Sequence, residues 1–126
     1  MVIINDTSKY GEECFICLEN GICRLTLSPK CPDVAFLSTL IVDAKHRRKG
    51  TGNMLLVAAE KIAVEKGCNA LTLESETGWT KDWYARHGFV VVGEGYDENM
   101  ILMCKPLQNV QKRPKNKIKI ATFEKK

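Results

Sequence analysis

Val42-Asp43-Ala44-Lys45-His46-Arg47-Arg48-Lys49-Gly50-Thr51-Gly52 closes one mostly apolar run and opens a helical pattern. The run before it, Val34 to Val42, has the length and composition of a buried strand. After it, Met54 to Lys66 places Leu55, Ala59, Ile62 and Ala63 at three- and four-residue spacing, on one face of a helix. A strand therefore feeds a helix through a basic loop that contains two glycines. The first N–H groups of a helix have no intrahelical partner and carry the positive end of its dipole, so such a turn is suited to hold an anion, phosphate above all. Gly50 and Gly52 lack a Cβ, which allows unusual dihedrals and close approach of the backbone to a bulky diphosphate. Arg47, Arg48 and Lys49 add positive charge around it.

Spacing excludes the two best-known phosphate loops. The dinucleotide fingerprint needs a third glycine where Leu55 stands, and Gly-Lys-Ser/Thr, the end of a P-loop, occurs nowhere in the chain. What remains is Arg47-x-x-Gly50-x-Gly52. That pattern resembles motif A of the GNAT superfamily of N-acetyltransferases, Val-x-Pro-x-x-Arg-Gly-Lys-Gly-x-Gly. Val42, Arg47, Lys49, Gly50 and Gly52 match in register, with Leu40 two residues upstream; Ala44 replaces the proline and Arg48 the first glycine. Further on, Trp83-Tyr84-Ala85-Arg86-His87-Gly88-Phe89 is similar to the family's aromatic-Tyr-x-x-x-Gly-Phe motif. The resemblance covers residues 13 to 107.

The resemblance implies an α/β, GNAT-like acyl-CoA N-acyltransferase fold: a twisted, mixed, mostly antiparallel sheet flanked by helices. It also implies acetyl-CoA in a cleft where two parallel strands splay, with the cofactor arm along the backbone of Leu40, Ile41 and Val42. The diphosphate then falls on Arg47, Arg48, Lys49, Gly50, Thr51, Gly52 and Asn53. Thr77 stands where the family often has an asparagine that contacts the cofactor arm. Tyr84 takes the place of the proton donor to the departing sulfur. The reference pKa of tyrosine, about 10, lies above that of a thiol and keeps it protonated at neutral pH. A base must take the proton of the attacking amine. Glu74, at the end of the strand beside the cleft, is the first candidate, against the ordinary alternative of an exposed strand-end carboxylate. Glu76, His87 and a water chain rank below it.

The implied activity is transfer of an acetyl group to a primary amine by direct attack in a ternary complex. The alternative is a catalytically weak acyl-CoA-binding module. Partners are acetyl-CoA and an amine acceptor, with neither membrane nor nucleic acid expected; a homodimer is left open.

At 126 residues the chain has room for one ordinary domain. No apolar run approaches the ~20 residues that span a bilayer, and Met1 to Tyr10 lacks the form of a signal peptide. The expected compartment is the cytoplasm. The net charge of +4 is concentrated at one end: residues 112–126 carry seven Lys/Arg against Glu124, which leaves the remainder at −2. The expected division is an acetyltransferase domain over 1–107 and a basic, flexible tail over 108–126, although Ile118, Ile120 and Phe123 give the tail a weak strand-like alternation. The six cysteines include Cys14-x-x-Cys17, but in a strand these two point to opposite faces, so reduced thiols are expected rather than a zinc site.

The remaining elements follow from local pattern. Glu13 to Glu19 and Ile22 to Leu27 read as a hairpin joined by Asn20-Gly21. Pro29 and Pro32 break regularity before the Val34 strand, and Lys66-Gly67 stops the first helix. Ala70 to Leu73 reads as a strand beside Val34, and Thr77 as the cap of a short helix that Gly88 ends. Phe89 to Gly93 and Asn99 to Lys105 complete the sheet. Trp79 and Trp83, one helical turn apart, read as core residues. About a dozen residues precede the hairpin, too few for the helices the family usually carries between its first two strands, which implies an open acceptor side.

Overall fold

A computed structural model describes residues 1–8, 11–46 and 49–107. Its elements in chain order are β1 (Val2–Ser8), β2 (Gly11–Leu18), β3 (Gly21–Leu27), β4 (Val34–Val42), α1 (Thr51–Glu65), β5 (Ala70–Glu76), α2 (Trp79–Arg86), β6 (Val90–Glu94) and β7 (Met100–Pro106), with a short 3-10 turn at Ala44–His46 between β4 and α1. The strands form one sheet in the order β1-β2-β3-β4-β5-β7-β6. All neighbours are antiparallel except β4 and β5. This is the mixed, mostly antiparallel sheet expected from the sequence, with β4 at its expected limits and α1 beginning three residues earlier.

Both helices lie on one face. Cys14, Ile16, Cys23, Leu25, Ala35, Leu37, Leu71, Leu73 and Met103 alternate along their strands and are buried against Leu55, Leu56, Ala59 and Ala63 of α1 and Tyr84 of α2. Burial of this one layer is the main stabilising contribution, since apolar area removed from water is worth about 25 cal/mol per Å². Lys105 Nζ on β7 reaches both carboxylate oxygens of Glu60 on α1 at 3.0 Å and ties the helix to the far side of the sheet. Cys14 is fully buried on the helix face and Cys17 only partly buried on the other, so the two do not converge. No group of three metal-ligating side chains converges among the described residues.

Several local expectations are corrected. The hairpin register pairs Leu18 with Gly21, so the two turn residues are Glu19 and Asn20 rather than Asn20 and Gly21. Neither Asn20 nor Gly21 has a positive φ. Gly21 is required for packing instead: a Cβ there would stand 2.9 Å from the Ile41 carbonyl oxygen and 3.1 Å from side-chain carbons of Leu55 and Thr51. Helix α2 starts from Gly78 at φ 100° with no side-chain cap, so Thr77 does not cap it. Trp79 is 68% exposed and lies outside the core, whereas Trp83 packs against it. The residues ahead of the hairpin include a strand, Val2–Ser8, paired with β2 from Gly11 to Cys17. The tail, 108–126, lies outside the described residues.

Gly21→Ala is expected to lower stability by about 1–3 kcal/mol through overpacking of the α1–hairpin contact. The check is the denaturant midpoint, with the slope m unchanged.

Candidate active site

Strands β4 and β5 pair in parallel only over Val34–Leu37 and Ala70–Leu73. Beyond that point β4 runs on to Val42 paired with β3 alone, and β5 runs on to Glu76 paired with β7 alone. The two strands open into a wedge, and the edge of β4 facing β5 is free of strand partners from residue 38 onward.

The cause lies in β4 itself. Leu25 pairs with Leu37 and Arg24 with Thr39, which leaves Ser38 as one extra residue. A bulge of this kind bends the strand and interrupts its alternation. Ala35 and Leu37 face the helices before it; after it Leu40 and Val42 do, both packed against the core, while Ile41 points to the opposite side at 59% exposure. Ser38 is pinned in place. Arg24 Nε donates to its Oγ at 2.8 Å, its hydroxyl donates to the Arg24 carbonyl at 3.2 Å, and Thr26 Oγ1 lies 3.4 Å away.

The N-terminus of α1 lies beside the wedge, held by the packing of Thr51 and Leu55 on Gly21 and of Gly52 on Trp83 and Val42. Gly50 caps the helix in the left-handed region at φ 87°, no side-chain cap hydrogen bond forms there among the described residues, and the first turn carries no acidic residue. Met54 N–H bonds to the Gly50 carbonyl, so the donors before it are the ones left over. Lys49 and Asn53 are exposed, and Thr51 is buried. Gly50 and Gly52 differ in purpose. A Cβ on Gly50 meets nothing within 4 Å, so its constraint is φ alone, whereas one on Gly52 would stand 3.2 Å from the Trp83 ring. Arg47 and Arg48 lie outside the described residues.

Tyr84 projects from α2 into the buried layer at 8% exposure, edge-on to Trp83 and Phe89 at centroid distances of 5.1 and 5.5 Å. Its hydroxyl has no hydrogen-bond partner among the described residues. Burial first, and the neighbouring Cys23 second, push the phenol up to about 12. Cys23 itself is driven to about 12 by burial and the nearby Cys14 and Cys17, so its thiol stays protonated and inert.

Glu74 is the first residue of β5 past the parallel pairing. Its Oε2 accepts the Tyr96 N–H at 3.1 Å from the β6–β7 turn, and its Oε1 is buried with no partner among the described residues. An orphaned carboxylate oxygen at a strand end calls for an explanation, and a catalytic role is one of the few available. Thr77 lies beside the same turn, lining with Glu94–Ile101 a groove of about 520 Å³. Glu76 is exposed. His87 is committed elsewhere, with Nδ1 2.8 Å from the Trp83 carbonyl oxygen and its ring on that of Trp83 at 4.2 Å.

Residues 10–91 match the family model described as an acetyltransferase (GNAT) domain. The chain belongs to the GNAT acetyltransferase family. Among curated relatives, N-alpha-acetyltransferase 30 of Xenopus laevis is 36% identical over 66 residues, which is 52% of this chain and 23% of that protein. The match thus spans about a quarter of the relative's length. Among solved structures, an acetyltransferase from Bacillus cereus aligns at 26% identity and TM-score 0.60 over 84% of this chain and 72% of the other. The PaiA N-acetyltransferase from Thermoplasma acidophilum, in complex with coenzyme A, aligns at 24% identity and TM-score 0.61 over 75% of this chain and 59% of the other, a likeness of fold. No helix among the described residues is long and apolar enough to cross a membrane.

The sequence reading missed Ser38 and its partners Arg24 and Thr26, although a serine inside an apolar run was a visible signal. It placed the connection between the last two strands but not its hold on Glu74, a contact across the sheet that no local pattern marks.

A pH titration checks the Tyr84 environment. Because its pKa rises from 10 to about 12 on folding, the stabilisation it reports is complete below pH 10 and is lost as pH climbs towards 12. The ultraviolet phenolate signal should show one tyrosine titrating near pH 12, and Tyr84→Phe should remove that late component.

Proposed function

We propose that this chain is an acetyl-CoA-dependent N-acetyltransferase acting on a primary amine by direct attack in a ternary complex. The observation that carries the reading is the β4–β5 wedge, where unpaired strand backbone lies beside the start of α1; Tyr84, on the helix that packs against β5, adds an unpartnered hydroxyl among the described residues. Acetyl-CoA fits that set. Extended backbone at Leu40, Ile41 and Val42 suits an amide-bearing arm, because free N–H and C=O groups require partners. The N–H groups from Gly50 to Asn53, with Lys49 beside them and Arg47 and Arg48 in the same loop, suit a diphosphate. Thr77 offers a hydroxyl at the mouth.

When bound, acetyl-CoA supplies a thioester, an acyl donor activated toward amines. Tyr84 would keep its proton at neutral pH and supply it to the departing sulfur as the carbon–sulfur bond breaks. The Glu74 carboxylate, held through Oε2 by the Tyr96 N–H, takes the proton that the amine loses as its nitrogen bonds to the carbonyl carbon. The similarity to N-alpha-acetyltransferase 30 and the uncovered acceptor side support a protein N-terminus or lysine as acceptor over a small amine. Six free thiols are consistent with the cytoplasm.

Calorimetric titration with acetyl-CoA should show binding by the wild type and a large loss in Gly50→Ala, which forces a Cβ into the left-handed region without touching the core. Tyr84→Phe should lower kcat by roughly 10²-fold and leave acetyl-CoA affinity within about threefold. Glu74→Gln should lose activity at neutral pH and recover part of it at high pH, where the amine is already neutral. Absence of acetyl-CoA binding by the wild type would overturn the reading; binding without turnover of any amine would replace it with an acyl-CoA-binding module.

A further inference from the structure

All the packing described so far is on one side of the sheet. Between β1 and β2 there are only two residues, so no helix can cross the other side there, and no helix among the described residues packs on that side of β1–β4. The cross-strand register lays out that open face in rows. Val2, Cys17, Ile22 and Ile41 form one, and Ile4, Phe15 and Arg24 the next. Asp6, Glu13, Thr26 and Phe36 form a third. The first row and the Ile4–Phe15 half of the second make an apolar strip, bordered by Arg24, in which Val2, Ile4 and Ile41 are 59%, 52% and 59% exposed. A continuous strip of this kind on an ordered sheet marks an interaction surface.

We infer that the open face is the interface of a homodimer, in which a second copy packs sheet against sheet and walls the acceptor side of the wedge. The rows lie on β1–β4, and four strands about 4.8 Å apart and about seven residues long at ~3.3 Å each present roughly 450 Å², a small interface beside the standard size. Charge argues for this occupant. A two-fold interface must be self-complementary, and this face carries both signs in adjacent rows. Arg24 forms no ion pair with a carboxylate among the described residues, its Nε resting on Ser38, and Asp6 and Glu13 form none with a cation. A two-fold partner can set each Arg24 over the other copy's Asp6 and Glu13 while the two apolar strips cross, in the aligned packing that sheets adopt. The wall this builds stands beside Ile41 and Glu74; that last consequence rests on the proposed function, whereas the interface itself does not.

The test is sedimentation equilibrium of the full chain over a range of concentrations, with maleimide labelling of Cys17 on the open face and of exposed Cys31 as reference. The expected result is a dimer in which Cys17 is protected as concentration rises and Cys31 is not. Ile4→Lys should weaken association at least tenfold and expose Cys17, and Val57→Lys, at an exposed position on the outer side of α1, should change neither. A monomer at all concentrations overturns the inference, whether Cys17 is reactive, as on a bare face, or protected, as under a segment of its own chain. So does a dimer indifferent to Ile4→Lys. A dimer with these properties that binds no acetyl-CoA would sustain the interface and overturn the proposed function alone.

Discussion

Ser38 pairs with no residue of β3, and the bend that this extra residue imposes takes β4 off the line of β5 after Leu37. Two parallel strands that stayed paired would seal each other's backbone groups. Here the bulge breaks the ladder at one residue, while Arg24 and Thr26 hold it open by hydrogen bonds that a fully regular strand could not make. The same residue resets the alternation, turning Leu40 and Val42 toward the helices and Ile41 away from them. Without it, the free backbone edge, the packing behind it and the exposed isoleucine beside it would not coexist on five consecutive residues.

Around that opening the rest of the fold is arranged by close contact. Gly21 lets the first turn of α1 settle on the hairpin, and Gly52 lets Trp83 of α2 settle on that same turn. The N-terminus of α1 is therefore fixed from two directions, and its unused donors have a defined position beside the wedge. Tyr84 follows in the chain from Trp83, and its burial both fixes the ring and keeps its proton. The cost of this arrangement falls on the other side of the sheet, where apolar rows face outward and Glu74 keeps one carboxylate oxygen without a partner.

The elements legible in the sequence are those whose pattern is local and periodic. Val34–Val42 is legible to its ends because it is a dense run of strand formers, and the body of α1 because its apolar residues recur at helical spacing, although its start lies three residues before the periodic stretch. The order of the sheet around β4 and β5 came through the two motifs, at Arg47–Gly52 and Trp83–Phe89, rather than from periodicity. The failures were of long-range origin. The hairpin turn was placed one residue late because Asn20-Gly21 is a strong local signal, and nothing local shows that Gly21 is required by an α1 side chain some thirty residues on. Trp79 was assigned to the core from its spacing to Trp83, but α2 is short and only one of its faces meets the sheet. Glu74 is legible as a candidate base from its place towards a strand end, while its partner, the backbone of Tyr96, depends on a turn that only the assembled sheet brings near.

The central claim is that free backbone along β4, together with the start of α1, receives the acyl donor. Residue-resolved amide hydrogen exchange of the protein, with and without acetyl-CoA, tests it most directly. The account predicts slowing at residues 38–42 and 50–53, with Val34–Leu37, already paired to β5, unchanged. Uniform slowing across the sheet, or none in those two segments under saturating acetyl-CoA, would contradict it.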